Sequence, residues 1–198
     1  MKGDEAMNIG PYSFEEYLDR VKEFHGSIAP GMIAGGIMVM VARKLLPEDG
    51  LYDVICESGH CLPDAVQLLT PCTIGNGWLR IVSTSRYGVV FYDKRTGAGI
   101  RVYLDAGRLS GFPSIRGWFL RELPKQDQDL DAIVREFRKA GPALFGTQRV
   151  QVDPEFIRAA KKTHAAIVLC PSCGEACQSD LGDVCPACRG EAPFQVTG

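Results

Sequence analysis

The sequence predicts an α+β domain over residues 1–165 and a small cysteine-rich module over residues 166–198. Two observations indicate the first part: apolar patterns of helical period come before and after a group of strand patterns, and tight polar turns separate those strands. The second part rests on two Cys-x-x-Cys pairs near the C-terminal end. We find no internal repeat and no low-complexity segment.

The first predicted helix follows Ser13, which forms a capping-box pattern with Glu16. Apolar side chains then recur at helical spacing, and Gly26 is a natural stop just past the helix end. This arrangement places His25 at the C-terminus of the helix, beside a turn. There it is either a functional residue or a C-cap histidine that interacts with the helix dipole.

A second helix is predicted from Pro30 to about residue 46. It is apolar nearly all round, so we expect it to be buried. Three glycines lie within it and would let another part of the chain approach closely: Gly31, Gly35 and Gly36.

The middle of the chain predicts a meander of strands. A buried strand over 51–56 precedes a short helix over 60–69, and three runs of β-branched and aromatic residues follow, at 78–82, 87–92 and 99–104. Amphipathic patterns then predict two later helices, one around residues 130–137 and one over 154–162.

The overall composition is that of a soluble globular protein, with 45% hydrophobic and 23% charged residues. The formal net charge of −2 gives no general attraction to nucleic acid or to anionic membranes. No apolar stretch follows the first residues, and the longest uncharged run, 26–42, is short for a bilayer span. We therefore expect a cytoplasmic protein.

The C-terminal cysteines have the spacing of a structural zinc site. Each Cys-x-x-Cys turn presents two thiolates, and four of them satisfy tetrahedral zinc with no open position: Cys170, Cys173, Cys185 and Cys188. A rubredoxin-like iron site or an iron–sulfur cluster is the alternative, since four thiolates accept those as well. So short a module buries little apolar surface, so the metal would hold its fold.

Two further features describe the module's role. Cys177 lies between the pairs and is interpreted as a spare thiol rather than a ligand. From Cys170 onward Arg189 is the only basic residue, against four acidic ones. Because phosphate binding needs the opposite balance, we expect packing or protein contact and not nucleic-acid binding.

Three cysteines remain in the larger domain. Cys56 lies within an apolar strand and is expected to be a buried small hydrophobe. Cys61 lies at the start of a helix, where amide dipoles favour a thiolate. Cys72 lies in a glycine-containing loop after the same helix, and the spacing alone does not establish whether Cys61 and Cys72 reach a common point.

An ordered set of short motifs runs through the larger domain: Phe24-His25-Gly26, Pro30-Gly31, Cys61 with Asp64-Ala65 and Gln67, and Cys72-Thr73 with Gly75. Together they resemble the FmdE family, which takes its name from the E subunit of formylmethanofuran dehydrogenase and in which the C-terminal ribbon also occurs. The resemblance covers about residues 10–105 and the ribbon.

The resemblance implies an α+β fold like the catalytic domain of glyceraldehyde-3-phosphate dehydrogenase, with a mixed sheet backed by helices. It also implies that His25, Cys61 and Cys72 gather around one zinc or other divalent ion, which leaves a position for water or substrate. In one departure, the family often has His-Gly-His where this chain has His25-Gly26-Ser27. His60 is the nearest substitute imidazole in the sequence.

Three functions compete. The first is a metal-binding accessory protein, a homodimer that serves a molybdenum or tungsten enzyme of one-carbon metabolism, as the resemblance implies. The second is a zinc-dependent enzyme acting on a small substrate, with Glu57 or Asp64 as general base and Asn76 as orienting group. The third, a thiol redox protein, ranks last because the larger domain has no Cys-x-x-Cys.

Overall fold

The computed structural model describes residues 7–159 and 165–194. The chain forms two compact units, Met1–Ile157 and Arg158–Gly198. The predicted α+β class is confirmed: the first unit is a five-stranded mixed sheet backed by helices, and the second carries the cysteine cluster. The predicted boundary between residues 165 and 166 stays a prediction.

The first helix begins as its capping signal predicts. A short antiparallel pair, β1 (Asn8–Ile9) and β2 (Tyr12–Ser13), leads into α1 (Phe14–His25). The Ser13 side chain accepts the backbone N–H of Glu16, and the Glu16 carboxylate accepts the backbone N–H of Ser13. Gly26 ends the helix in the left-handed conformation, with φ of 85°. These two caps fix where His25 leaves the helix.

The second helix, α2 (Pro30–Leu45), is buried along most of its length, as predicted. Its glycines provide close contacts. A Cβ built on Gly35 would lie 2.6 Å from the Cβ of Ala65, and one on Gly36 would lie 2.5 Å from the Tyr17 ring. The Tyr17 hydroxyl donates a hydrogen bond to the Met32 carbonyl at 2.7 Å, which anchors α1 against α2.

The sheet is built around β3 (Tyr52–Cys56). The chain then forms α3 (Leu62–Leu69), β4 (Leu79–Ile81), β5 (Gly88–Asp93) and β6 (Ala98–Leu104). β4 pairs with β3 in parallel, so α3 is the crossover helix, whereas β5 and β6 continue antiparallel on the other side.

The last part of the first unit contains elements that the sequence does not predict. A short helix, α4 (Pro113–Phe119), precedes the predicted amphipathic helix α5 (Leu130–Ala140), and β7 (Phe145–Gln151) then pairs antiparallel with β6. The strand order is β4-β3-β5-β6-β7.

The sheet has a large core on one face and a small one on the other. Side chains that alternate along the strands separate the two: Val54 and Phe91 pack with the helices α1–α5, and Val90 and Tyr92 face the opposite side. There α6 (Pro154–Ala159) contributes Phe156. Residues 160–162 of the helix predicted over 154–162 lie outside the described residues.

The second unit contains a two-stranded hairpin, β8 (Ile167–Leu169) with β9 (Ala176–Gln178). Within residues 165–194, the buried side chains are those of Cys170 and Cys185. No helix in the described parts of either unit is long and apolar enough to cross a bilayer.

Candidate metal centres

The four C-terminal cysteines lie where one metal ion could bind them all. The Sγ atoms of Cys170, Cys173, Cys185 and Cys188 lie within 4.8 Å of one another, and those of Cys173 and Cys185 are 3.9 Å apart. Tetrahedral zinc with Zn–S bonds of about 2.3 Å places its sulfurs roughly 3.8 Å apart. The donor set and its spacing therefore fit structural zinc.

The backbone holds these sulfurs in place. The Cys185 N–H donates to Cys170 Sγ at 3.4 Å, and the Cys188 N–H donates to Cys185 Sγ at 3.5 Å. Gly174 and Gly190, with φ of 77° and 83°, close the two turns as the sequence predicts. Cys177 lies in β9, outside the group of four.

The thiols of the cluster differ in acidity. Backbone N–H groups of Cys185 and Cys173 lower the pKa of Cys170 to about 6. The backbone N–H of Glu175 lowers the pKa of Cys173, but desolvation and hydrogen bonds with the neighbouring thiols outweigh it and raise this pKa to about 12. Metal-free, the cluster thus favours one thiolate shared with its neighbours, and a cation is needed to ionise the remainder.

In the first unit, the structure brings His25 and Cys61 together. His25 Nε2 lies 4.0 Å from Cys61 Sγ. On the other side of the imidazole, Nδ1 lies 2.7 Å from Oδ2 of Asp64 in the first turn of α3. Gln67 donates to Oδ1 of the same carboxylate at 3.5 Å. Asp64 therefore orients the imidazole and directs Nε2 to the thiol.

Cys61 has an unusual backbone conformation. Its φ is 58° and its ψ −45°, and the Leu62 N–H donates to the His60 carbonyl at 2.6 Å, which makes a γ-turn centred on Cys61. Such turns are rare and strained for residues other than glycine. The side chain lies against Gly31, where an added Cβ would be 2.9 Å from Cys61 Sγ. The predicted close approach at Gly31 is thus made to Cys61.

The prediction that the start of α3 favours a Cys61 thiolate is wrong. Burial raises the pKa of this thiol, the Asp64 carboxylate raises it further, and Lys125 opposes both with a smaller effect. The effect of desolvation exceeds that of the helix dipole at this position. Without a cation, Cys61 is a neutral thiol at pH 7.

Cys72 lies at the opposite end of α3. Three residues beyond that helix, its thiol donates to the Tyr52 carbonyl at 3.4 Å. Eight helical residues span about 12 Å, and in the described residues the C-terminal four are the only group of three or more candidate ligands within 4.8 Å. The structure does not bring Cys72 to His25 and Cys61. Burial raises the pKa of Cys72 as well.

The remaining candidates have structural surroundings. Cys56 is fully buried in β3, and burial raises its pKa to about 12, so the interpretation as a small hydrophobe is confirmed. Asn76 fastens its own loop, because it accepts from the backbone of Thr73 and Trp78 and donates to the Pro71 carbonyl. His60 is exposed, and all eight cysteines are free thiols.

Glu57 is not available as a general base. Its carboxylate is buried and accepts from Arg101 at 2.6 and 2.9 Å and from Arg86 at 2.6 Å. Gly88 leaves the space for this carboxylate, since an added Cβ there would lie 2.2 Å from Glu57 Oε2. The sequence does not reveal this network, because Arg101 reaches Glu57 only once β5 and β6 are paired.

With this geometry established, comparison with known proteins gives a consistent answer. Residues 24–152 match the model of FmdE, described as molybdenum formylmethanofuran dehydrogenase operon. The chain belongs to the FmdE family. Residues 161–195 match the FmdE treble clef zinc finger, so the cysteine cluster of this FmdE protein is a zinc-binding module.

Two relatives extend the comparison. A crystal structure of an FmdE-like protein of tungsten formylmethanofuran dehydrogenase from Syntrophus aciditrophicus is 46% identical, with a TM-score of 0.87 over 96% of this chain and 99% of that one. A probable S-adenosyl-L-methionine-binding protein of Archaeoglobus fulgidus is 26% identical over 190 residues and 77% of this chain. The FmdE chain spans 52% of the length of that relative.

Proposed function

We propose that this FmdE protein is a metal-binding accessory protein with a second metal site in the first unit, where His25 and Cys61 are ligands. The observation that carries the proposal is the 4.0 Å separation of His25 Nε2 and Cys61 Sγ, with Nδ1 fixed by Asp64 at 2.7 Å. A tetrahedral zinc ion holds such a nitrogen and sulfur about 3.6 Å apart.

Asp64 supports this assignment because of its position behind the imidazole. Metal-binding histidines commonly donate their second ring N–H to a carboxylate, which fixes the tautomer and makes the ligand nitrogen more basic. A divalent ion would also ionise Cys61, whose pKa is raised by burial. When bound, the ion supplies a Lewis acid, and the chain's residues hold and orient it.

The third ligand distinguishes two versions of the site. In the set that the family resemblance implies, Cys72 joins His25 and Cys61. In the version that the geometry supports, the pair binds the metal alone, and water or a group from another molecule occupies the remaining positions. Cys72→Ser separates the two versions, since it lowers metal binding only in the first.

An accessory role is favoured over catalysis by the surroundings of the candidate bases. Glu57 is held by two arginines, and Asp64 is held by His25. The alternative, a zinc-dependent enzyme acting on a small substrate, rests on the positions that two protein ligands leave open. Homodimer formation and service to a molybdenum or tungsten enzyme belong to the same proposal and would appear in solution mass and in co-purification with such an enzyme.

The metal content of variants of the full chain tests the proposal. We expect two metal ions per chain in the wild type, one in Cys61→Ser and in His25→Ala, and one in the Cys170→Ser/Cys173→Ser double variant. Cys56→Ala, which removes a buried thiol of β3 outside the pair, is the matched control and should keep two. If Cys61→Ser retained both ions, the main-domain site would be refuted.

A further inference from the structure

A cavity of about 540 Å³ lies at the far end of α3 from the His25–Cys61 pair. The last turn of α2, the loop that leads into β3, the loop after α3 and the strand β5 surround it. Its size falls within the range of small-molecule sites, roughly 300–1,000 Å³. It belongs to neither metal centre, although Cys72 contributes to its wall.

The walls are mainly apolar and aromatic. Phe91 is buried, Tyr52 is half-buried, and Trp78 keeps 42% of its surface exposed where it lines the cavity. The position of Trp78 is fixed, because Asn76 accepts its backbone N–H at 2.9 Å and the Lys94 ammonium lies 3.6 Å from the centre of its ring. An exposed indole held in this way offers a preformed surface for an apolar or aromatic group.

The charges on the lining favour an anionic end. Lys94 is engaged by Asp53 at 3.0 Å. Arg43, exposed in the last turn of α2, makes no ion pair or hydrogen bond within residues 7–159 and 165–194. Glu48 is the single carboxylate of the lining, against two cations. A guanidinium presents a planar fork of donors that matches a carboxylate.

From this combination we infer that the cavity binds a small carboxylate with an aromatic or aliphatic body. The body contacts Trp78, Tyr52 and Phe91, and the carboxylate pairs with Arg43. This site is independent of the proposed second metal site, because the cavity residues lie beyond the C-terminal end of α3 and the pair lies before its N-terminal end.

The two tryptophans allow a specific test by NMR. We would titrate ¹⁵N-labelled full chain with 4-phenylbutyrate and follow the indole N–H signals of Trp78 and Trp118, assigned through Trp78→Phe. We expect a saturable shift of the Trp78 signal in the millimolar range for a ligand of this size. The Trp118 signal should stay in place, because that ring packs among Tyr87, Phe119 and Phe137.

Charge is tested by one variant and one neutral analogue. Arg43→Gln should weaken 4-phenylbutyrate binding about tenfold, as loss of a charge-assisted hydrogen bond does. Lys44→Gln, a neighbouring exposed cation on the same helix turn, should leave it unchanged. Equal binding of 4-phenylbutanol would overturn the carboxylate assignment, and absence of a saturable Trp78 shift would overturn the site. Metal content in Arg43→Gln should match the wild type.

Discussion

The carboxylate of Asp64, in the first turn of α3, lies 2.7 Å from Nδ1 of His25 at the end of α1. This contact joins the ends of two helices that are far apart in sequence. It leaves Nε2 of the imidazole facing Cys61. The orientation of the candidate ligand is therefore set by a residue outside the ligand set.

Replacing Asp64 by Asn should weaken the main-domain metal without unfolding the protein. The amide keeps the size of the side chain but loses the charge that makes the imidazole a better donor, and such changes cost about 10- to 100-fold in metal affinity. Competition with a chelator measures the affinity. Asp19→Asn, on the exposed face of α1, is the control. An unchanged affinity in Asp64→Asn would show that the contact with His25 is only structural.

Glycine should be the most stable replacement for Cys61 in metal-free protein. The residue has a φ of 58°, which costs about 1–2 kcal/mol for a residue with a Cβ and almost nothing for glycine. We expect the free energy of unfolding of Cys61→Gly to exceed that of Cys61→Ala by about 1 kcal/mol. Urea denaturation in the presence of a chelator measures the difference. The reverse order would contradict the assignment of strain at this turn.

The two arginines on Glu57 should contribute unequally to stability. The Arg101 side chain is 11% exposed and the Arg86 side chain 62%. Removing a buried partner leaves an uncompensated charge, so Arg101→Gln should cost about 3 kcal/mol or more, whereas Arg86→Gln should cost about 1 kcal/mol or less. Chemical denaturation of both variants gives the comparison. Similar losses would mean that Glu57 does not depend on its buried partner.

Zinc affinity of the cysteine cluster should fall steeply as the pH falls. Hydrogen bonding with Cys185 outweighs the lowering effect of Ser172 and raises the pKa of Cys188, and the pKa of Cys173 is raised to about 12. Zinc must therefore displace at least two protons at neutral pH, and each proton weakens binding about tenfold per pH unit lost. Chelator competition between pH 6 and 7.5 should show a change of at least about 100-fold per unit. A shallower dependence would mean that these thiols are already ionised without metal.

Local signals in the sequence predict the helices and the cysteine cluster well. The capping box of α1, Gly26 and the Cys-x-x-Cys turns are interactions between residues three or four apart, and the structure has them where the pattern indicates. The strand β7 and the helix α4 are absent from the prediction. β7 is an edge strand with an exposed, polar centre, and it is defined by its partner β6 rather than by its own pattern.

The candidate sites show the same limit. Spacing in the sequence indicates which residues carry ligand atoms, but not the direction of each side chain. Cys61 and Cys72 are close in sequence, yet the helix between them separates them, while His25 and Asp64 meet although they are 39 residues apart. Glu57 is a candidate base by its sequence position alone, and only the pairing of β5 with β6 reveals its arginine partner.

The scarcity of buried side chains in residues 165–194 has a consequence for the lifetime of the protein. The first unit has a hydrophobic core that resists proteases at any metal concentration, whereas the order of the second depends on a bound ion. Turnover of the C-terminal module would therefore follow the supply of zinc in its surroundings. Under zinc limitation, degradation would begin in this module while residues 7–157 remained intact.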